Sequence, residues 1–206
     1  MLKARDQKEK NLRKQLILDS AEVVLERRGL HKLSISAVAK EAKLAQGTLY
    51  LYFSKKEDII AQLTIRSRQK LLALFHQAIE KTEDPLEQLR NILQANFKFY
   101  NKYRLYYELV NFYKVNAEEN EPPELKQTSR NISALVASVL DRAKTQGLIR
   151  PSINVAEFTY IAWAMCNGMV QMVDLSGPQI TSELNKPTED FYTTYVNFVI
   201  EGIRAH

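Results

Sequence analysis

Gln46-Gly47-Thr48-Leu49-Tyr50-Leu51-Tyr52-Phe53-Ser54-Lys55-Lys56-Glu57 is the stretch whose reading decides the fold. It reads as a short helix starting after Ala45 and ending before a second helix near Lys55. Leu49 and Phe53 lie one turn apart and are spaced to bury against Leu25, Ile35 and Val38. That leaves Gln46, Gly47, Tyr50 and Leu51 pointing outward. An ordinary helical hairpin with tyrosines on its rim would show the same spacing. Entry into a DNA major groove gives the exposed face a purpose.

Upstream, Ser34 is placed to cap a short helix in which Ile35, Val38, Ala39 and Ala42 recur at i, i+3, i+4 and i+7. A tight turn at Lys43-Leu44 follows. A longer helix, expected from near Asp6 to Arg28, carries Ile17, Ala21, Val24 and Leu25 on one face and ends at Gly29, a suitable left-handed terminator. Residues 34 to 53 thus match the plan in which one helix braces on the DNA backbone and the next enters the groove. In that plan the Gln46 amide pairs with adenine N6 and N7, and Gly47 lets the backbone come close. Ser34, Ser36, Thr48, Tyr50, Tyr52 and Lys56 supply hydroxyls and charge suited to phosphates, fixing register without reading sequence.

Charge follows the same division. Residues 1 to 56 hold 13 Lys and Arg against 6 Asp and Glu, a net +7, while residues 57 to 206 hold 16 against 18, a net −2. Cations gathered in one quarter of a chain are what phosphate attraction needs, because each neutralised phosphate releases condensed counterions. A merely solvated basic arm would show the same concentration of charge; Lys3, Arg5, Lys8 and Lys10 precede the first helix or lie in its opening turns.

Downstream, a fourth helix from Lys55 carries Ile59, Ile60, Leu63, Leu71, Leu74, Phe75 and Ala78 as a long stripe and is expected to stop before Asp84-Pro85. Further helices are expected at 86–100, 104–115, 124–146, 156–175 and 190–204, with Pro122-Pro123, Gly147, Pro151 and Gly177-Pro178 as punctuation. The fold class is all-α. Eight aromatic residues crowd positions 97 to 113, among them Phe97, Tyr100, Tyr107 and Phe112, and they suit the lining of an apolar ligand cavity. Trp163 and Asn167, one turn apart, are candidates for the same role. Core packing explains the aromatic group about as well, and for Trp163 and Asn167 a satisfied core amide is the commoner explanation.

Residues 155 to 173 are apolar on nearly every side, but Glu157, Asn167 and Gln171 interrupt them, which argues against a membrane span. Catalysis has no visible machinery: His31, His76 and His206 are scattered, and no zinc-protease, nucleophile-elbow or phosphate-loop motif occurs. No metal or cofactor is expected. Cys166, the single cysteine, reads as a buried packing residue. With no disulfide and no basic-then-apolar leader, a cytoplasmic location is expected.

Ile17 to Ala21, Gly29, Ser34-Ile35, Val38-Ala39, Ala42 and above all Gly47-Thr48-Leu49-Tyr50-Leu51-Tyr52-Phe53 followed by Lys56-Glu57 resemble the TetR family of repressors, closely over residues 12 to 60. The resemblance implies a helix-turn-helix DNA-binding domain of three helices over residues 1–54 and a larger helical ligand-binding and dimerisation domain over 55–206. It also implies a homodimer, paired through the last two long helices, that leaves a near-palindromic double-stranded operator when a small-molecule effector binds. Two positions depart from the family pattern. Lys43 stands where the family has a turn glycine, at a cost of about 1 kcal/mol if its φ is positive. Ala45 replaces the usual serine cap, at a cost of roughly 0.5 to 2 kcal/mol.

Overall fold

The structure, a computed structural model, describes residues 2–109 and 122–205, with side chains from residue 7 onward. Among these residues the regular elements are helices, and a lone antiparallel bridge joins Ile149 to Arg204. The chain divides into two compact units, Met1–Ser67 with Leu105–Lys126, and Arg68–Arg104 with Gln127–His206.

Unit one starts with α1 (Leu2–Arg28), whose Ile17, Leu18, Ala21, Val24 and Leu25 are buried. Gly29 ends it with φ 74°, its N–H reaching the Leu25 carbonyl at 2.8 Å. A single 3-10 turn, Leu30–Lys32, leads to α2 (Ile35–Ala42), which buries the expected Ile35, Val38, Ala39 and Ala42. α3 (Gln46–Tyr50) and the opening of α4 (Lys56–Ile79) complete the unit's core with Leu49, Phe53, Ile59, Ile60 and Leu63. α1 packs on α2, and α2 on α3. Asp58 Oδ2 caps the start of α4 by accepting from the Ser54 and Lys55 N–H groups at 2.8 and 3.1 Å.

Two sets of contacts pin α1 to α4. Lys14 Nζ donates to Gln62 Oε1 at 3.0 Å, and Arg66 Nη1 donates to Asp19 Oδ1 and Glu22 Oε1 at 2.8 Å each. Arg66 also holds Gln15. Ser67 Oγ reaches the carbonyl of Tyr106 at 3.3 Å, on α6, whose described part is 104–109.

Unit two contains α5 (Pro85–Lys102), α7 (Pro123–Thr145, from Gln127 onward), α8 (Val155–Leu184) and α9 (Thr188–Ile203). Asp84 caps α5, accepting from the Leu86 N–H at 2.8 Å, with Pro85 in the first turn where its missing donor costs nothing. α5 packs on both α8 and α9, which also pack on each other. Their shared core includes Leu89, Leu93, Phe97, Ala162, Cys166, Val170, Tyr192, Val196 and Ile200.

One expected boundary is corrected. Gly177-Pro178 was expected to end the helix near Leu175, yet α8 runs on to Leu184 with Pro178 inside it. An interior proline costs about 3 kcal/mol. Here the buried stripe Phe158, Ala162, Cys166, Val170, Gly177 and Ile180 keeps its helical period through the proline, and Gly177 packs where a Cβ would lie 3.5 Å from Thr188 Cγ2. Continuous burial outweighs the local preference. No helix among the described residues is long and apolar enough to cross a membrane.

Candidate nucleic-acid interface

The local chemistry of residues 34 to 56 determines what faces outward. Ser34 Oγ accepts from the Ala37 N–H at 3.1 Å, so its hydroxyl caps α2 while its side chain stays at the surface beside the exposed Ser36. α2 ends at Lys43 with φ 55° and ψ 40°, the left-handed turn that the sequence position required. Ala45 precedes α3 without any side-chain cap. α3 is therefore held mainly from within: Leu49 is 0% exposed and Phe53 3%.

That anchoring turns the other side of the turn to solvent. Gln46, Gly47, Tyr50, Leu51 and Lys56 are exposed, with Leu51 at 83%, and Thr48 and Tyr52 are half-buried at the edge. Unit one thus brings the eight residues expected at a DNA contact onto two short helices and the start of a third. A Cβ added to Gly47 would meet no atom within 4 Å, and its φ is not positive, so the fold itself does not ask for glycine there.

The expected ligand-contact residues are placed differently. Phe97 and Tyr100 are buried in unit two, where Phe97 stacks on Tyr192 with ring centres 4.2 Å apart. The Tyr100 hydroxyl donates to Asp174 Oδ1 at 2.9 Å, and the Arg104 guanidinium holds the same carboxylate. Trp163 and Asn167 are half-buried one turn apart on α8, and Tyr107 is half-buried in unit one. Phe112 lies outside the described residues.

The sequence reading did not anticipate a polar knot inside unit two. Cys166 Sγ lies 3.4 Å from the Tyr195 hydroxyl, and the Tyr192 hydroxyl reaches both Cys166 Sγ at 3.7 Å and the Leu93 carbonyl at 3.1 Å. Burial pushes the thiol pKa up, and hydrogen bonds from Tyr195, Tyr192 and Asn96 only partly offset it. Burial, with the neighbouring thiol, likewise raises both tyrosines. The three groups remain protonated, which suits packing rather than nucleophilic chemistry.

Residues 17–63 match the profile described as bacterial regulatory proteins, tetR family. The chain is 27% identical over 144 residues to the HTH-type transcriptional regulator UidR of Escherichia coli K12, across 68% of this chain and 70% of that protein. The fold is shared with a protein of unknown function from Rhodococcus sp. RHA1, at a TM-score of 0.80 and 18% identity, covering 94% of this chain and 96% of that one. It is also shared with the transcriptional regulator FadR of Bacillus subtilis in complex with stearoyl-CoA, at a TM-score of 0.74 and 17% identity, covering 92% and 99%.

Proposed function

We propose that the chain, whose residues 17–63 match the tetR family profile, is a homodimeric repressor of that family, released from a near-palindromic operator by a small-molecule effector. The observation that carries the DNA-binding part is the bare Gln46-Gly47-Tyr50-Leu51 face of α3 and the turn after it, on the side opposite the buried Leu49 and Phe53. Gln46 reads a base edge, Gly47 allows close approach, and Ser34, Ser36, Thr48, Tyr50, Tyr52 and Lys56 hold the backbone. Residues 1–54 read DNA, and residues 55–206 dimerise and bind effector.

Pairing of α8 and α9 with their copies covers the exposed Tyr160, Ile161, Met172, Leu175 and Phe198. Phe97, Tyr100, Trp163 and Asn167, all in unit two, take part in an apolar effector site, a reading in keeping with the stearoyl-CoA bound by the FadR neighbour. Effector binding alters the separation of the two recognition helices away from the roughly 34 to 36 Å of one DNA turn, with α4 as the lever. The protein works in the cytoplasm and is not an enzyme.

The test begins by selecting bound fragments from genomic DNA and titrating salt. Gln46→Ala is expected to cost about 1 to 3 kcal/mol and to relax base preference at one position, whereas Lys56→Ala weakens all sequences alike and lowers the salt slope by about one. Indistinguishable profiles for the two variants would refute the division of roles.

A further inference from the structure

From residue 7 to Leu16, α1 covers no core. Residues 7 to 13 are all exposed, and the first buried residue is Ile17. At 1.5 Å per residue, residues 7 to 16 carry the helix about 15 Å before it meets the core.

Its direction follows from the contacts with α4. Lys14 meets Gln62 at 3.0 Å, and later along both helices Asp19 and Glu22 meet Arg66 at 2.8 Å. The contacts advance in the same order on both elements, so the amino-terminal ends of α1 and α4 point the same way. α4 begins at Lys56, one of the residues assigned to a phosphate.

The face of the helix changes character where the core stops. The stripe formed by Ile17, Leu18, Ala21, Val24 and Leu25 is continued upstream, at steps of three and four residues, by Lys14, Lys10 and Gln7. Lys14 marks the edge, with its Nζ 6.0 Å from the centre of the Phe53 ring. Residues 3 to 14 hold Lys3, Arg5, Lys8, Lys10, Arg13 and Lys14 against the carboxylates Asp6 and Glu9, the latter 3.9 Å from Arg13.

We infer that this projecting stretch of α1 is a second DNA contact, in which Lys8 and Lys10 neutralise backbone phosphates beyond those held by Lys56. It reads no bases and lengthens the protected stretch of duplex. The inference rests on the regulator reading above.

The test compares the full-length wild type, Lys8→Gln/Lys10→Gln and Gln46→Ala on a selected genomic fragment and on mixed-sequence duplex, across salt. The double variant is expected to lower the slope of log affinity against log salt by about 1.8, at 0.9 per phosphate. It should weaken both DNAs by the same factor, shorten the footprint and leave the melting temperature unchanged. An unaltered slope and footprint, with Gln46→Ala still losing fragment preference, would overturn the arm and leave the regulator reading standing. A wild type that binds neither DNA in a salt-dependent way would end both. Leu12 and Leu16, exposed at 62% and 46%, offer a second copy of the chain as the rival occupant. Conversion of the double variant from dimer to monomer in sedimentation would assign the arm to self-association and likewise overturn the proposal.

Discussion

Gly47 and Lys43 carry opposite kinds of cost in the same turn. Lys43 holds φ 55°, a conformation that charges a side-chain-bearing residue about 1 kcal/mol and that glycine would adopt freely. Gly47 has open space around its missing Cβ and no positive φ, yet glycine in a helix is worth about 0.5 kcal/mol less than alanine. A glycine that the fold does not need, on the face proposed to meet DNA, suits a close approach of the duplex backbone. Gly47→Ala is therefore expected to raise the urea midpoint modestly, by about 0.5 kcal/mol, while weakening operator binding in fluorescence anisotropy. Equal or tighter binding would remove Gly47 from the interface. The residues of this turn were legible in sequence because each answers to its immediate neighbours: Ser34 to the Ala37 N–H, Lys43 to the end of α2, Ala45 to the uncapped start of α3. The Cys166, Tyr192 and Tyr195 knot was not, since its hydrogen bonds join residues 26 and 29 positions apart and no local period says which polar atoms will meet.

At the scale of elements, Arg66 is the rivet between α1 and α4. Burial works against its charge, but hydrogen bonds and attraction from Glu22 and Asp19 outweigh that and raise its pKa. Tyr106 joins from α6: burial, reinforced by its hydrogen bond to Glu22, keeps its hydroxyl protonated. Arg66→Met would leave Asp19 and Glu22 without the donor that serves both, and charged hydrogen bonds of this kind contribute about 2 kcal/mol. The expected result is a lower melting temperature, with Glu22→Gln milder because its amide oxygen still accepts. A melt unchanged by Arg66→Met would mean that apolar packing alone seats α1. Helix periods made α1, α2, α4, α5 and α9 readable to within a few residues. They failed at Pro178, because a proline signals a break locally, whereas the burial of Gly177 and Ile180 that overrides it belongs to a different element's packing.

For the whole molecule, the surface that the proposed pairing would cover is the outer side of α8 and α9. Tyr160, Leu175 and Phe198 are 77%, 75% and 73% exposed, far more than large apolar groups gain from standing in water. Between them α8 turns out Ala164 and Gly168, and a Cβ on Gly168 would again meet nothing within 4 Å of its own subunit. Small residues flanked by large ones let a second helix come close, so the pattern matches a helix pair meeting its copy. Phe198→Asp places a charge at that contact while leaving no hole in the subunit's own core, since the side chain is already outside it. Sedimentation of the variant is expected to give a monomer with unaltered far-ultraviolet circular dichroism. The operator affinity should then fall by roughly a hundredfold or more, because two linked reading heads bind with an effective concentration that separate ones lack. Loss of operator binding should exceed loss on short mixed-sequence duplex, where one head suffices. A variant that stays dimeric would move the interface off α9, and a monomer that binds operator as tightly as the wild type would show that recognition does not depend on two-fold pairing.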